Sequence, residues 1–205
     1  MIVEVGNTII DKINTLPFVD KYAGVVRILT YQDKNTTGAT IKKTFPADCR
    51  MTFQECEQES RYLDLCPDSS KKSVMYLEDT GLRLVSKEGN YLNWRAQYNL
   101  VVWLNLPKLG FNGCSYSATA MLSILKKLPA RPFNSGQHHL INIQAVGQQP
   151  KTTNPFSRYS YDESVNQFLM YPYDFFVLLL DVSFQNDLRC INIASLSPAL
   201  DCVDK

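Results

Sequence analysis

The sequence has 205 residues, of which 45% are hydrophobic and 20% are charged, so it can form a core without disulfides or metals. Its formal net charge is +1, which argues against the basic face of a dedicated nucleic-acid-binding protein. No run reaches the roughly 18 apolar residues of a membrane-spanning helix, and the first residues lack the apolar core of a secretory signal. We therefore expect a single domain over residues 1–205 and six reduced cysteines in a cytoplasmic environment.

The first elements are predicted to be one helix and two strands. Asn7 and Thr8 offer capping oxygens, and apolar residues recur at helical spacing from Ile9 to Leu16, which predicts a short amphipathic helix. β-Branched residues predict strands from Ala23 to Tyr31 and from Ala39 to Phe45. These two strands are expected to form a hairpin.

The middle of the chain combines an irregular segment with the clearest strand signal. Residues 46–72 are predicted to be a long loop. Strands from Val74 to Glu78 and from Leu82 to Ser86 are expected to form a second hairpin, turning at Gly81. From Tyr91 to Leu106, apolar and polar residues alternate, which predicts one long strand with a buried face.

The C-terminal part is predicted to contain a helix, a strand, a loop and a closing strand. The helix runs from Ser115 to Leu128, and we expect its apolar stripe to pack on the sheet through Ala118, Met121, Leu122, Leu125 and Leu128. A strand follows from His139 to Gly147, and a polar loop at 148–171 includes a short helix from Asp162 to Met170. The apolar run from Tyr173 to Gln185 predicts a central strand covered on both faces.

This order of elements predicts the fold class. Strands joined by short turns pair antiparallel, and amphipathic helices pack against the resulting sheet. We expect an α+β fold, with a mainly antiparallel sheet of long strands flanked by two or three helices.

Cysteine and histidine spacing tests for metal or catalytic chemistry. Zinc ligands normally come in close sequence pairs, whereas Cys49, Cys56 and Cys66 are widely separated. His138 and His139 would point to opposite faces of a strand. The sequence also lacks the common nucleophile, phosphate-binding, dinucleotide and metalloprotease motifs. We therefore expect no metal, no cofactor and no catalytic residues, and a protein that is not an enzyme.

Cys114 leaves one enzymatic alternative open. It precedes a predicted helix, whose N-terminal dipole would lower the pKa of the thiol, and His138 and His139 begin the next strand. A cysteine-dependent hydrolase would use Cys114 with one of these histidines. No glycine-rich oxyanion loop or orienting acid accompanies them.

Aromatic residues crowd into one C-terminal stretch that includes Tyr159, Tyr161, Phe168, Tyr171, Tyr173, Phe175 and Phe176. Stacking platforms for single-stranded nucleic acid interleave aromatic with basic residues, but only Arg158 lies close to this stretch. Core packing and a protein interface are the favoured uses.

Five segments carry a resemblance to a known family: Ile9 to Leu16, Gly24 to Phe45, Tyr91 to Leu106, Ser115 to Leu128 and Tyr173 to Gln185. In this arrangement the chain resembles the tail-terminator, or tail-completion, family of bacteriophage head-to-tail connector proteins. The resemblance implies a homo-oligomeric ring of six or twelve copies, joined through sheet edges and loops. It also implies neighbouring portal, connector or tail ring proteins, DNA that only passes through the lumen, and no membrane.

The resemblance further implies a place in the virion. The loops at 46–72 and 148–171 would reach other subunits or rings, with Arg158, Tyr159 and Tyr161 expected at inter-subunit contacts. A composition rich in asparagine, tyrosine and lysine is similar to that of crAss-like phage virion proteins. The expected function is that of a structural protein of the phage neck or tail, made in the bacterial host cytoplasm.

Overall fold

The computed structural model describes residues 1–34, 40–50, 63–111, 116–160 and 168–190. Within these ranges the chain forms two α-helices and seven strands: α1 (Ile2–Ile13), β1 (Lys21–Lys34), β2 (Thr40–Asp48), β3 (Ser73–Glu88), β4 (Tyr91–Asn105), α2 (Tyr116–Lys127), β5 (Phe133–Ser135), β6 (His138–Gln148) and β7 (Tyr173–Asp187).

All seven described strands belong to one sheet, in the order β2-β1-β3-β4-β7-β6-β5. Neighbouring strands are antiparallel except β1 and β3, which are parallel. The predicted fold class is thereby confirmed: an α+β fold with a mainly antiparallel sheet of long strands flanked by helices. We refer to the face of the sheet that contacts α1 and α2 as the helix face, and to the opposite face as the loop face.

The main core lies between the helix face and the two helices. α1 buries Val5, Ile9 and Ile13 completely against the sheet. Its approach to β1 is close enough to require glycine, since a Cβ atom on Gly6 would lie 2.3 Å from Cγ2 of Val25. Burial of these aliphatic side chains, each contributing about 1.5–3 kcal/mol, anchors the helix.

A second core lies on the loop face, but it covers only part of it. Tyr76, Val101, Trp103 and Phe175 are buried there beneath loop residues that include Leu65, Phe156 and Tyr159. We call this part of the loop face the covered half. Further along the same strands Arg83, Arg95, Gln97, Gln144 and Ser183 are exposed, and we call that part the open half.

The predicted strands of the C-terminal half are confirmed. β4 spans Tyr91–Asn105 and buries the even-numbered residues from Ala96 to Leu104 on the helix face. β7 is covered on both faces, with Phe176 and Leu178 toward the helices and Phe175 and Val177 toward the loops. Most of the predicted helix from Asp162 to Met170 lies outside the described residues.

The predicted start of the first helix is wrong. α1 begins at Ile2 rather than at the predicted caps, so Asn7 and Thr8 lie inside the helix. Thr8 Oγ1 donates a hydrogen bond to the carbonyl of Glu4, 2.9 Å away. Because the Thr8 hydroxyl bonds a carbonyl of the preceding turn, threonine is accommodated inside the helix instead of capping it.

The predicted hairpin around Gly81 is also wrong. β3 is one strand from Ser73 to Glu88, and Gly81 lies at a register shift opposite β4 rather than in a turn. The chain reverses instead at Gly89, whose φ is +59°. Because β4 supplies a partner along the whole of β3, the residues of the predicted turn stay in the strand, with Thr80 as the extra residue of a bulge between Asp79 and Gly81.

The predicted apolar stripe of α2 is rotated relative to the buried face. Ser117, Ala120 and Ile124 are the buried residues, with Met121 and Leu128 partly buried against the core. Leu122 is 63% exposed. The stripe was therefore wrong for Ala118, Leu122 and Leu125, because a shift of one residue rotates a helix face by about 100°.

The predicted loop at 46–72 is shortened by secondary structure. β2 continues to Asp48, where Pro46 and Ala47 still pair with β1. Residues 63–72 contain turns and bends. The part between residues 51 and 62 lies outside the described residues.

Candidate functional site

The histidines proposed for catalysis occupy different environments. His138 is buried on the helix face, where Nε2 lies 2.9 Å from Glu4 Oε2 and Nδ1 lies 2.9 Å from Asn186 Nδ2. Because the amide donates to Nδ1, Nε2 carries the hydrogen and donates to Glu4. Both ring nitrogens are thus engaged: Nε2 bonds Glu4 of α1, and Nδ1 bonds Asn186 of β7.

His139 lies on the other face of β6, as predicted from the alternation of side chains along a strand. It pairs with Gln185, whereas His138 pairs with Asn186. The two imidazoles therefore cannot act on one atom. Cys114, the proposed nucleophile, lies outside the described residues, and the hydrolase hypothesis stays a prediction.

Two of the described cysteines differ in their burial. Cys66 is buried and Cys49 is partly buried. Burial raises the pKa of the Cys49 thiol, which is the reverse of what an activated nucleophile needs. In the part of the chain that the structure describes, no three His, Cys, Asp or Glu side chains are grouped so that they could hold a metal ion.

The segment 148–160 forms a strap across the loop face, and it contains two of the residues predicted for inter-subunit contact. Tyr159 is buried, and its hydroxyl donates to Glu78 Oε1 at 2.7 Å. Arg158 Nη1 lies 3.2 Å from Glu78 Oε2. The Ser160 amide donates to the Thr44 carbonyl at 2.8 Å. The strap therefore ties β2 to β3 within the subunit.

These contacts restrict what the predicted residues can do between subunits. Burial, followed by the Glu78 carboxylate, raises the pKa of Tyr159, which keeps its hydroxyl a donor. The Arg158 side chain is half-exposed and can reach outward. Tyr161 lies outside the described residues, so an inter-subunit role for this group stays a prediction.

One edge of the sheet is open along β3. β1 pairs with β3 only between Lys21–Val25 and Val74–Leu77, and then leaves to pair with β2. Among the described residues, no strand pairs with Leu82–Glu88 on the side away from β4. Leu84 and Val85 are exposed there. This segment presents unpaired backbone groups to an incoming strand.

The opposite side of the sheet has a second open edge along β6. β5 pairs with β6 only at His138 and Ile141, so Asn142–Gln148 has no outer partner within the described part of the chain. These seven residues include no charge and no proline. Native edges normally carry charges, prolines or covering elements that prevent pairing. The segment lacks the first two of these protections.

β1 and β2 also extend as a two-stranded arm. They pair at nine positions, from Val26 opposite Asp48 to Lys34 opposite Thr40, which corresponds to roughly 30 Å of strand. Thr30, Gln32 and Lys42 are exposed on it. Phe45 and Ala47 are buried at the sheet end of the arm, so its far end is the part available to a neighbouring molecule.

Comparisons with known proteins identify no relative of the chain. No protein-family model, curated protein or solved structure matches the chain significantly. In the described residues, no helix combines the length and apolarity needed to cross a membrane.

Sequence reasoning missed both open edges as sites. Pairing partners depend on topology, and the departure of β1 from β3 after Val25 has no signature in hydrophobic periodicity. One signal was present: the uncharged run from Leu140 to Gln149. An exposed strand without charges is unusual enough to indicate a surface that pairs.

Proposed function

We propose that the protein is a non-enzymatic structural subunit of a ring, of the tail-terminator type that its element order resembles, in the neck or tail of a bacteriophage. The observation that carries the proposal is a pair of strand edges, Leu82–Glu88 and Asn142–Gln148, on opposite sides of one sheet, which no described strand covers. A closed ring needs two different surfaces that fit each other on neighbouring copies.

The two edges differ in the way that a head-to-tail contact requires. The β3 edge carries Arg83, Lys87 and Glu88, whereas the β6 edge is uncharged. Pairing of β3 from one copy with β6 of the next would extend the sheet from subunit to subunit. Such pairing satisfies backbone donors and acceptors on both sides without placing like charges opposite each other.

Other features support the same role. The far end of the β1–β2 arm, with Thr30, Gln32 and Lys42, is exposed and can contact a neighbouring copy or an adjacent portal, connector or tail ring. The formal net charge of +1 fits a lumen through which DNA passes without strong phosphate contacts. The corresponding location is the virion, after synthesis in the bacterial host cytoplasm.

Light scattering coupled to size-exclusion chromatography tests the ring. We expect the wild type to form a closed oligomer of six or twelve copies, and Val146→Lys to dissociate it, because charge on an edge strand opposes pairing. Leu122→Lys is the matched control. Leu122 is 63% exposed and Val146 is 58% exposed, but Leu122 lies on a helix and not on a sheet edge. The control should remain oligomeric.

Mass spectrometry of purified particles of the encoding phage tests the virion location. We expect the protein among the structural components, at a copy number consistent with one ring per particle. Its absence from purified virions would overturn the proposal. Dissociation of the oligomer by Leu122→Lys but not by Val146→Lys would place the interface away from the sheet edges.

A further inference from the structure

Seven polar residues and Gly81 form two rows across four strands of the open half. In the first row each residue pairs directly with the next, in the order Arg83, Arg95, Ser183 and Asn142. The second row contains Gly81, Gln97, Asp181 and Gln144. With strands about 4.8 Å apart, each row spans roughly 14 Å. The rows offer guanidinium, amide and hydroxyl donors on one face of the sheet.

The charges in these rows are not balanced. Arg83 and Arg95 lie directly opposite each other, an arrangement of like charges that destabilises a sheet. Arg95 Nε donates to both carboxylate oxygens of Asp181, at 2.6 and 2.7 Å. Arg83 is exposed and makes no ion pair with the described residues. Of the two opposed guanidinium groups, only that of Arg95 therefore has a carboxylate partner among the described residues.

Donor capacity remains on both arginines. Arg95 uses Nε and Nη2 for Asp181, which leaves Nη1 directed away from that carboxylate. A hollow of about 330 Å³ is lined by both arginines, by Val85, and by the polar residues Asn142, Gln144, Asp181 and Ser183. A Cβ atom on Gly81 would meet no atom within 4 Å, so nothing in the described chain fills the space beside the second row.

We infer that the open half binds an acidic segment of a partner protein, with one carboxylate held between Arg83 and Arg95. Charge-assisted bonds from two guanidinium groups favour a carboxylate at this position. The amides of Asn142 and Gln144 can bond the peptide groups that follow it. The rows contain no aromatic side chain and only two cations, which is a poor platform for nucleic acid.

The inference stands apart from the ring proposal. It uses the face of the sheet rather than its edges, and any partner protein could supply the acidic segment. An assay of peptide binding can fail while the oligomer forms, and the reverse can also occur.

Fluorescence anisotropy with a labelled peptide of alternating glutamate and serine tests the inference at low salt. We expect the wild type to bind this peptide, and Arg83→Gln to weaken binding roughly tenfold, the loss of one charge-assisted contact. Ser183→Leu should weaken binding as well, because Ser183 is exposed and lines the hollow that the larger side chain would fill. Arg131→Gln makes the same charge change at an exposed position elsewhere and should leave binding unchanged.

Three outcomes would overturn the inference. These are no binding of the glutamate peptide by the folded wild type, equal weakening by Arg131→Gln, and equal binding of a peptide with glutamine in place of glutamate. Tighter binding of oligothymidylate than of the peptide would also overturn it, because the ligand of the open half would then be nucleic acid. Circular dichroism of each variant establishes that it is folded.

Discussion

The covered and open halves of the loop face are built from the same strands and have opposite surfaces. On β4, Val101 and Trp103 are buried under loops, while Arg95 and Gln97 on the same face are exposed. On β7, Val177 is buried and Ser183 is exposed. A single strand therefore has two buried faces at one end and one buried face at the other.

The difference shows how one sheet separates stability from surface chemistry. In the covered half both faces bury apolar area, the main source of folding free energy. In the open half the helix face alone supplies burial, through residues such as Ala96 and Val182. Side chains on the exposed face there contribute little to packing. They can carry unbalanced charge at small cost to the fold.

The largest expected effect belongs to Trp103 in the covered half. It is fully buried, its Nε1 donates to the Phe168 carbonyl at 2.7 Å, and its ring stacks on Tyr173. Trp103→Ala should lower the free energy of unfolding by about 3–5 kcal/mol. Urea denaturation of the variant and the wild type measures this difference.

Gln97→Ala is the matched control, since Gln97 lies on the same face of β4 in the open half. We expect it to change the free energy of unfolding by less than about 0.5 kcal/mol. Similar losses for the two variants would contradict the division of the loop face into halves.

The next effect concerns Lys71, which organises the loop over the covered half. Its buried Nζ donates to the carbonyls of Leu63 and Asp64 at 2.8 Å and of Cys66 at 2.9 Å. Lys71→Met would leave these acceptors without their donor, and we expect it to lower the free energy of unfolding by roughly 2–3 kcal/mol. Urea denaturation measures the loss. Mass spectrometry should also find faster alkylation of Cys66 as the loop loosens.

Lys72→Met provides the control, because the Lys72 side chain is exposed. We expect neither a change in stability nor faster labelling of Cys66. Unchanged labelling in Lys71→Met, together with wild-type stability, would mean that the ammonium group does not hold this loop.

Sequence patterns predicted the parts of the fold that depend on one strand or helix at a time. The alternation from Tyr91 to Leu106 identified β4 because a strand with a buried face has a period of two residues. The apolar run from Tyr173 identified β7 because both of its faces are covered. The α+β class followed from these elements.

The remaining features depend on partners that a local pattern does not contain. Gly81 is a residue type that favours turns, but β4 pairs with the β3 residues before and after it and keeps β3 extended. The buried face of α2 includes Ser117, and a prediction based on apolar residues does not detect a buried serine. The rows of the open half need the register of four strands. Arg83 and Arg95 become neighbours only through pairing.

The smallest expected effect tests how the open half is held on its helix face. Glu4 Oε2 accepts hydrogen bonds from His138 Nε2 at 2.9 Å and from Gln137 Nε2 at 3.2 Å. Burial alone would raise the pKa of Glu4, but hydrogen bonds, foremost from His138, hold it below its ordinary value of 4.5. Since the folded pKa is lowered, this contribution is present above the unfolded pKa and is lost as the pH falls through the folded value.

Glu4→Gln should therefore lower the free energy of unfolding by a few tenths of a kcal/mol near neutral pH, because the side chain is 56% exposed and solvent screens the contact. The difference from the wild type should shrink as the pH falls below about 4. Urea denaturation across this range measures it, with Asp11→Asn as an exposed control on the same helix. A difference that stays constant with pH would mean that the Glu4 contact acts through shape rather than charge.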